Sequence, residues 1–235
     1  QGREPGAQAW RGPVRLGLWL WLLMAVLFFS KKYLPVQISQ VLSRFYFWPT
    51  MPLTLFRSWM DGRGLWCQVD DTVILGVAPL AILDQPAQLE ALGVRAVVNL
   101  CEEYAGPQAE YSRLKITQLR LPTVDHQQPP VQDLCKAVAF IDAQRKLGHK
   151  VYIHCKAGHG RAGALAMAWM IFTHGVYKEE DLQKLNAELL QKRHVRRSLY
   201  RQLNLKDFAS QLHSTGGACV RDAKAEADEC TKKDR

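Results

Sequence analysis

The sequence predicts an α/β domain, a central and mainly parallel sheet flanked by helices, with a hydrophobic helix at its N-terminal end. Two observations predict it. From Asp71 onward, short β-branched and aliphatic runs alternate with segments of helical period, and strands interleaved with helices favour parallel pairing. The chain also has 235 residues, of which 48% are hydrophobic and 23% charged. That is enough for one ordinary domain with extensions, and it excludes collagen-like, coiled-coil and wholly disordered chains.

The elements can be justified in chain order. Leu16 to Phe29 is an unbroken apolar run of 14 residues, with Arg11 and Arg15 before it and Lys31 and Lys32 after. A full membrane span needs about 20 residues, so the run reads first as a membrane-anchoring or organelle-import segment. A buried helix and a signal peptide stay as alternatives. A second aromatic, acid-free stretch follows from Phe45 to Phe56. Strands are expected at Val73–Ala78, Val94–Leu100, Ile116–Leu121 and Lys150–His154, each bounded by turn-prone residues. Helices are expected at Asp84–Leu92 with Asp84 as cap, Val131–Leu147 stopped by Gly148, Ala162–Thr173 closed by Gly175, Lys178–Gln191 and Arg196–Leu212. The chain after Ser214, with Gly-Gly and dense mixed charge, reads as a disordered tail. The expected organisation is a basic, apolar targeting or anchor segment over 1–44, a folded domain over 45–212 and a tail over 213–235.

Charge sharpens the class. The net charge is +9, yet residues 1–60 hold seven basic residues and one acid, and residues 211–235 hold five of each sign. Positive charge concentrated beside apolar sequence points to a membrane or an import signal before it points to nucleic acid. Lys192 to Arg201 packs five basic residues into ten positions, a pattern suited either to anionic headgroups or to a solvated helix face. No RNA or DNA module accompanies it, so no nucleic-acid partner is expected. The six cysteines form no C-x-x-C pair and no cluster at zinc spacing, so neither a metal nor a cofactor is expected.

The chemistry concentrates in Tyr152-Ile-His-Cys-Lys-Ala-Gly-His-Gly-Arg161. A strand ends at His154, a loop of Lys156, Ala157, Gly158, His159 and Gly160 follows Cys155, and Arg161 opens a helix. Five residues between Cys and Arg let a loop curl round a tetrahedral anion, and the glycines let backbone N–H groups point inward. A helix N-terminus adds its positive end. Cys155 at the base of such a nest is placed to act as a thiolate nucleophile, and Arg161 to grip two phosphate oxygens with its planar fork. The bland alternative is a buried Cys at a strand end beside an incidental glycine turn.

His154-Cys155-x5-Arg161 between strand and helix resembles the signature of cysteine-dependent phosphatases of the protein-tyrosine and dual-specificity superfamily. Further stretches, Val69 to Leu80, Asn99 to Tyr104, Gln118 to Asp125 and His194 to Tyr200, resemble the mitochondrial protein-tyrosine-phosphatase-like enzymes that dephosphorylate phosphatidylglycerophosphate. The resemblance implies a dual-specificity-phosphatase-like fold and an Asp general acid from outside the loop. Asp125, 30 residues before Cys155, stands at that place, with loop capping as its other reading. Asp133 is a weaker candidate in the first turn of an expected helix. Glu102, Glu103 and Tyr104 follow a strand and line up near the site, yet two acids beside a phosphate pocket would repel substrate. Where most of the superfamily has Ser or Thr after the Arg, this chain has Ala162, which implies slower breakdown of a cysteinyl-phosphate.

The expected activity is removal of phosphate from an anionic glycerophospholipid, with phosphatidylglycerophosphate as first choice. A phosphotyrosine or phosphoserine/threonine protein substrate is the first alternative, and a phospholipid- or phosphoprotein-binding pseudophosphatase the second. The expected partners are that phospholipid and a membrane surface. The resemblance makes the mitochondrial inner membrane the expected place, with a plastid or endoplasmic reticulum membrane as the alternative.

Overall fold

The computed structural model describes residues 26, 30, 33–60, 62 and 64–223. The expected apolar helix over 16–29 lies outside them, apart from Val26. The first described helix is α1, Val36–Met60, followed by β1 Trp66–Gln68, β2 Val73–Gly76, a 3-10 turn Ala81–Leu83, α2 Gln85–Ala91 and β3 Val94–Cys101. Then come α3 Gln108–Arg113, β4 Thr117–Thr123, α4 Val131–Lys146, β5 Lys150–His154, α5 Arg161–His174 and α6 Glu179–Lys192. A 3-10 turn, Leu199–Arg201, precedes α7, Leu203–Thr215.

The sheet runs β1-β2-β5-β3-β4, parallel throughout except for the antiparallel β1–β2 edge. Parallel central strands are covered on both faces and therefore read as continuous apolar runs. Leu75, Val98 and Ile153 point to one side, into the core built by α4, α5 and α7 around Leu134, Trp169 and Phe208. Ile74, Val97 and Tyr152 alternate to the other side, against Leu89 of α2 and Tyr111 of α3. Asp70 joins the layers, because one carboxylate oxygen accepts from the amides of Thr72 and Val73 at 2.9 and 2.7 Å and the other from the Trp169 indole at 2.6 Å.

The α/β architecture agrees with the expectation, and β5 matches it residue for residue. Four local readings are corrected. Asp84 does not cap α2 with its side chain; it adopts a left-handed φ of 52° as the joint between the 3-10 turn and the helix. The helix expected from Arg196 begins only at Leu203, because the preceding backbone lies along the Cys155 loop, with the Arg196 amide donating to the His159 carbonyl at 3.3 Å. Residues 213–223 are helical or turn rather than disordered, and Val220 is buried.

The fourth correction is α1, which runs unbroken across residue 44 and through Pro49 and Pro52. Two prolines argue against a helix interior, but packing overrides them. Phe47 and Met51 are buried against Ala78 and Leu80, and Phe47 stacks on Tyr104 with ring centroids 4.9 Å apart. Glu102 accepts hydrogen bonds from Gln40, at 2.8 Å, and from Arg44, fastening the other end of the helix to the domain.

Candidate active site

The parallel strands aim their carboxyl ends at one edge of the sheet, where open α/β sheets bind ligands. β5, between β2 and β3, delivers Cys155 there at 3% exposure. The loop to Gly160 passes so close to β2 that a Cβ on Gly158 would lie 2.5 Å from the Gly76 carbonyl oxygen, and Gly158 holds a φ of +74°. Only glycine fits both demands. The carbonyls of Lys156, Ala157 and His159 accept from the Ala78 amide at 3.1 Å, the Arg193 guanidinium at 3.1 Å and the Arg196 amide at 3.3 Å. C=O and N–H point opposite ways across a trans peptide plane, so the amides of Ala157, Gly158 and Gly160 are turned away from those partners. The α5 N-terminus follows at once. Arg193, itself 2% exposed, braces the loop from behind.

Arg161 is 3% exposed and surrounded by acceptors. Its two terminal nitrogens form a fork with the Glu103 carboxylate at 2.8 and 2.6 Å. One also donates to the Thr123 carbonyl at 2.8 Å and the other to Asp125 at 3.1 Å. Burial works to remove the Arg161 charge, but the Glu103 carboxylate hydrogen-bonded to it outweighs this and holds its pKa above the ordinary range. Glu103, Thr123 and Asp125 together engage both terminal nitrogens, so an anion that takes two oxygens onto this fork must displace one of these acceptors.

Glu103 corrects the expectation that acids here would repel substrate. Its carboxylate, 1% exposed, is the counter-ion of Arg161. The available signal was positional, since of two successive acids after β3 one faces the sheet edge where the neighbouring β5 ends. Glu102 turns the other way, to α1. Burial pushes the His154 imidazole down to about 3, the Arg161 charge adding to the effect, so this residue is a neutral support that stacks on Tyr152. Asp133 stays on α4, outside the pocket, where burial raises its carboxyl pKa.

Cys155, Arg161 and Asp125 line one cavity of about 510 Å³. His159 also lines it. Lys156 also touches it, but its ammonium is held by the Tyr46 carbonyl at 3.2 Å, by the Thr50 hydroxyl and over the Phe47 ring. It serves to attach α1 to the loop rather than simply to face the opening. Sequence reasoning missed the opposite wall: Thr50, Leu53, Thr54 and Arg57, all from α1. The basic run 192–201 is not one surface patch. Lys192 donates to the Val69 carbonyl, Arg193 is buried under the loop, and Arg196 reaches the cavity rim.

Residues 73–208 match the family model for the dual specificity phosphatase catalytic domain. The chain belongs to the dual specificity phosphatase family. It is accordingly a cysteine-dependent phosphatase. Within that family it is similar to the human protein named phosphatidylglycerophosphatase and protein-tyrosine phosphatase 1, 36% identical over 73% of this chain and 88% of that one. The crystal structure of PTPMT1 superposes with a TM-score of 0.55 at 29% identity, covering 65% of this chain and 99% of the other. PTPMT1 in complex with PI(5)P gives a TM-score of 0.54 at 28% identity over 65% and 99% of the two chains.

Two outcomes follow from the dual-specificity site. Glu103→Gln removes the counter-charge while keeping the shape, and is expected to lower kcat/KM at least about tenfold and stability by a few kcal/mol, as when one partner of a buried ion pair is lost. Steady-state kinetics and urea unfolding measure the two; an unchanged kcat/KM would show that Arg161 needs no such partner. His154 sets a pH dependence. The unfolded imidazole takes up a proton below about 6.5 that the folded one refuses until about 3, so stability should fall as pH drops through that window. His154→Gln should remove that part of the slope in unfolding curves taken at each pH.

Proposed function

We propose that the chain hydrolyses the phosphomonoester of an anionic glycerophospholipid, phosphatidylglycerophosphate foremost, giving phosphatidylglycerol and inorganic phosphate. The observation that carries this reading is the cavity itself. Its floor holds Cys155, Arg161 and Asp125 within one volume, while its far wall combines apolar Leu53 with Arg57, and Arg196 stands at the rim. A phosphomonoester sits on the floor, and a second anionic group on the same headgroup meets the outer cations.

In the reaction, the Cys155 thiolate attacks phosphorus in line as the P–O bond to the glycerol breaks. Asp125 protonates the departing alkoxide, and the loop amides with the Arg161 guanidinium hold the equatorial oxygens. To do so, Asp125 exchanges its present contact with Arg161 for the leaving oxygen. Its carboxylate then takes a proton from water, which attacks the cysteinyl-phosphate and releases phosphate and the thiolate. No metal enters these steps. Ala162, buried at the start of α5, brings no hydroxyl to the departing thiolate, which makes the second step the slower one.

The test is phosphate release from the lipid in the presence of EDTA, abolished by Cys155→Ser. Ala162→Ser should raise the steady rate. In the same preparation, a phosphotyrosine peptide should turn over at least about tenfold less efficiently than the phospholipid, a difference of about 1.4 kcal/mol in transition-state binding. The reverse preference would make this a protein phosphatase.

The mitochondrial inner membrane is the proposed location. The basic, nearly acid-free first 60 residues with their apolar run support it, because such sequence suits import and anchoring. Mitochondria extracted with carbonate should retain the chain in the membrane pellet; recovery in the soluble fraction would remove this placement.

A further inference from the structure

Among the described residues, nine of the seventeen exposed large apolar side chains lie on α1. They are not scattered. At about 100° per residue, Ile38, Val41, Phe45, Trp48, Phe56 and Trp59 share one face, roughly half a turn from the buried face of Ser43, Phe47 and Met51. Trp59 is 70% exposed and Val41 65%. A contiguous apolar strip of this length on a surface marks an interaction site.

From this strip we infer that α1 is an interfacial helix, lying in the plane of an anionic bilayer and forming the threshold between that bilayer and the active-site cavity. The inference rests on the reading that the substrate is a membrane lipid. Three observations choose a bilayer as the occupant. First, α1 contains no acid and carries Arg57 beside the strip, in a chain of net charge +9; this complements anionic headgroups. Second, its exposed face is rich in Trp and Phe, the side chains that suit the headgroup boundary. Third, the strip is continuous with the site, since Leu53 is half-exposed on the outer side yet lines the cavity, beside Thr50, Thr54 and Arg57.

Geometry excludes a spanning role for α1. No helix among the described residues is long and apolar enough to cross a membrane, and the inner face of α1, with Ser39, Ser43 and Ser58 buried, is committed to the domain. A helix fixed along one side can only lie flat. The bilayer then sits beyond α1, and a lipid headgroup reaches Cys155 by passing over Leu53 and Arg57 while its acyl chains stay in the membrane.

The full chain is tested with phosphatidylcholine vesicles containing phosphatidylglycerol. The fluorescence component lost in Trp59→Phe should be quenched by acyl-brominated lipid and shielded from iodide. Iodide access to Trp59 in the vesicle-bound chain would overturn the inference. The triple variant Phe45→Ser, Phe56→Ser, Trp59→Ser should lose about tenfold or more of its turnover on phosphatidylglycerophosphate in vesicles, with turnover of a soluble aryl phosphate unchanged. Equal losses on both substrates would make α1 merely a wall of the site and overturn the proposal. So would lipid-free self-association that the triple variant abolishes, which would assign the strip to a second copy of the chain. If Trp59 is shielded by lipid but the wild-type chain leaves the phospholipid intact, the docking stands and the substrate reading fails.

Discussion

A guanidinium at 3% exposure needs an answering charge, since an unpaired ion in that position costs several kcal/mol. Arg161 receives that answer from Glu103 at the end of β3, and further acceptors from Thr123 at the end of β4. Three consecutive elements of the sheet edge, β5 with its loop, β3 and β4, are therefore held in register by one side chain. Asp125 follows Thr123 by two residues, so the same contact that satisfies Arg161 also fixes where the Asp125 carboxylate lies. Positioning and charge compensation are one interaction here.

What could be read from the sequence was what is local. Lys150–His154 is a short strand ended by a loop whose residues, Cys155 to Arg161, are contiguous, so the strand, loop and helix start are legible from twelve neighbouring positions. Asp125 was found through the resemblance rather than through its own surroundings. Glu103 was seen but misjudged, because its partner lies 58 residues away and an acid near a phosphate site looks repulsive until its cation is known. The break before Leu203 was hidden for a related reason: the backbone near Arg196 is claimed by the His159 carbonyl, a tertiary hydrogen bond that periodicity does not report.

The largest omission was α1. Read beside the apolar run before it, its aromatic, acid-free stretch looks like part of an anchor. In the folded chain the same residues divide their labour by face. Phe47 and Met51 complete a small core with Leu80, Gln40 and Arg44 hold Glu102, and Thr50 to Arg57 close the cavity. A segment that looks like an appendage in one dimension is a wall of the site in three.

Lys156 gives that arrangement a further property. It belongs to the loop between Cys155 and Arg161, yet its ammonium is spent on the Tyr46 carbonyl, the Thr50 hydroxyl and the Phe47 ring of α1. The loop and the helix are thus mechanically coupled through one flexible cation. Whatever occupies the nest and draws Lys156 inward loosens its hold on α1, and whatever seats α1 more firmly steadies the loop. Linkage makes such effects reciprocal in free energy, so the affinity of the loop for an anion and the docking of α1 form a single thermodynamic balance.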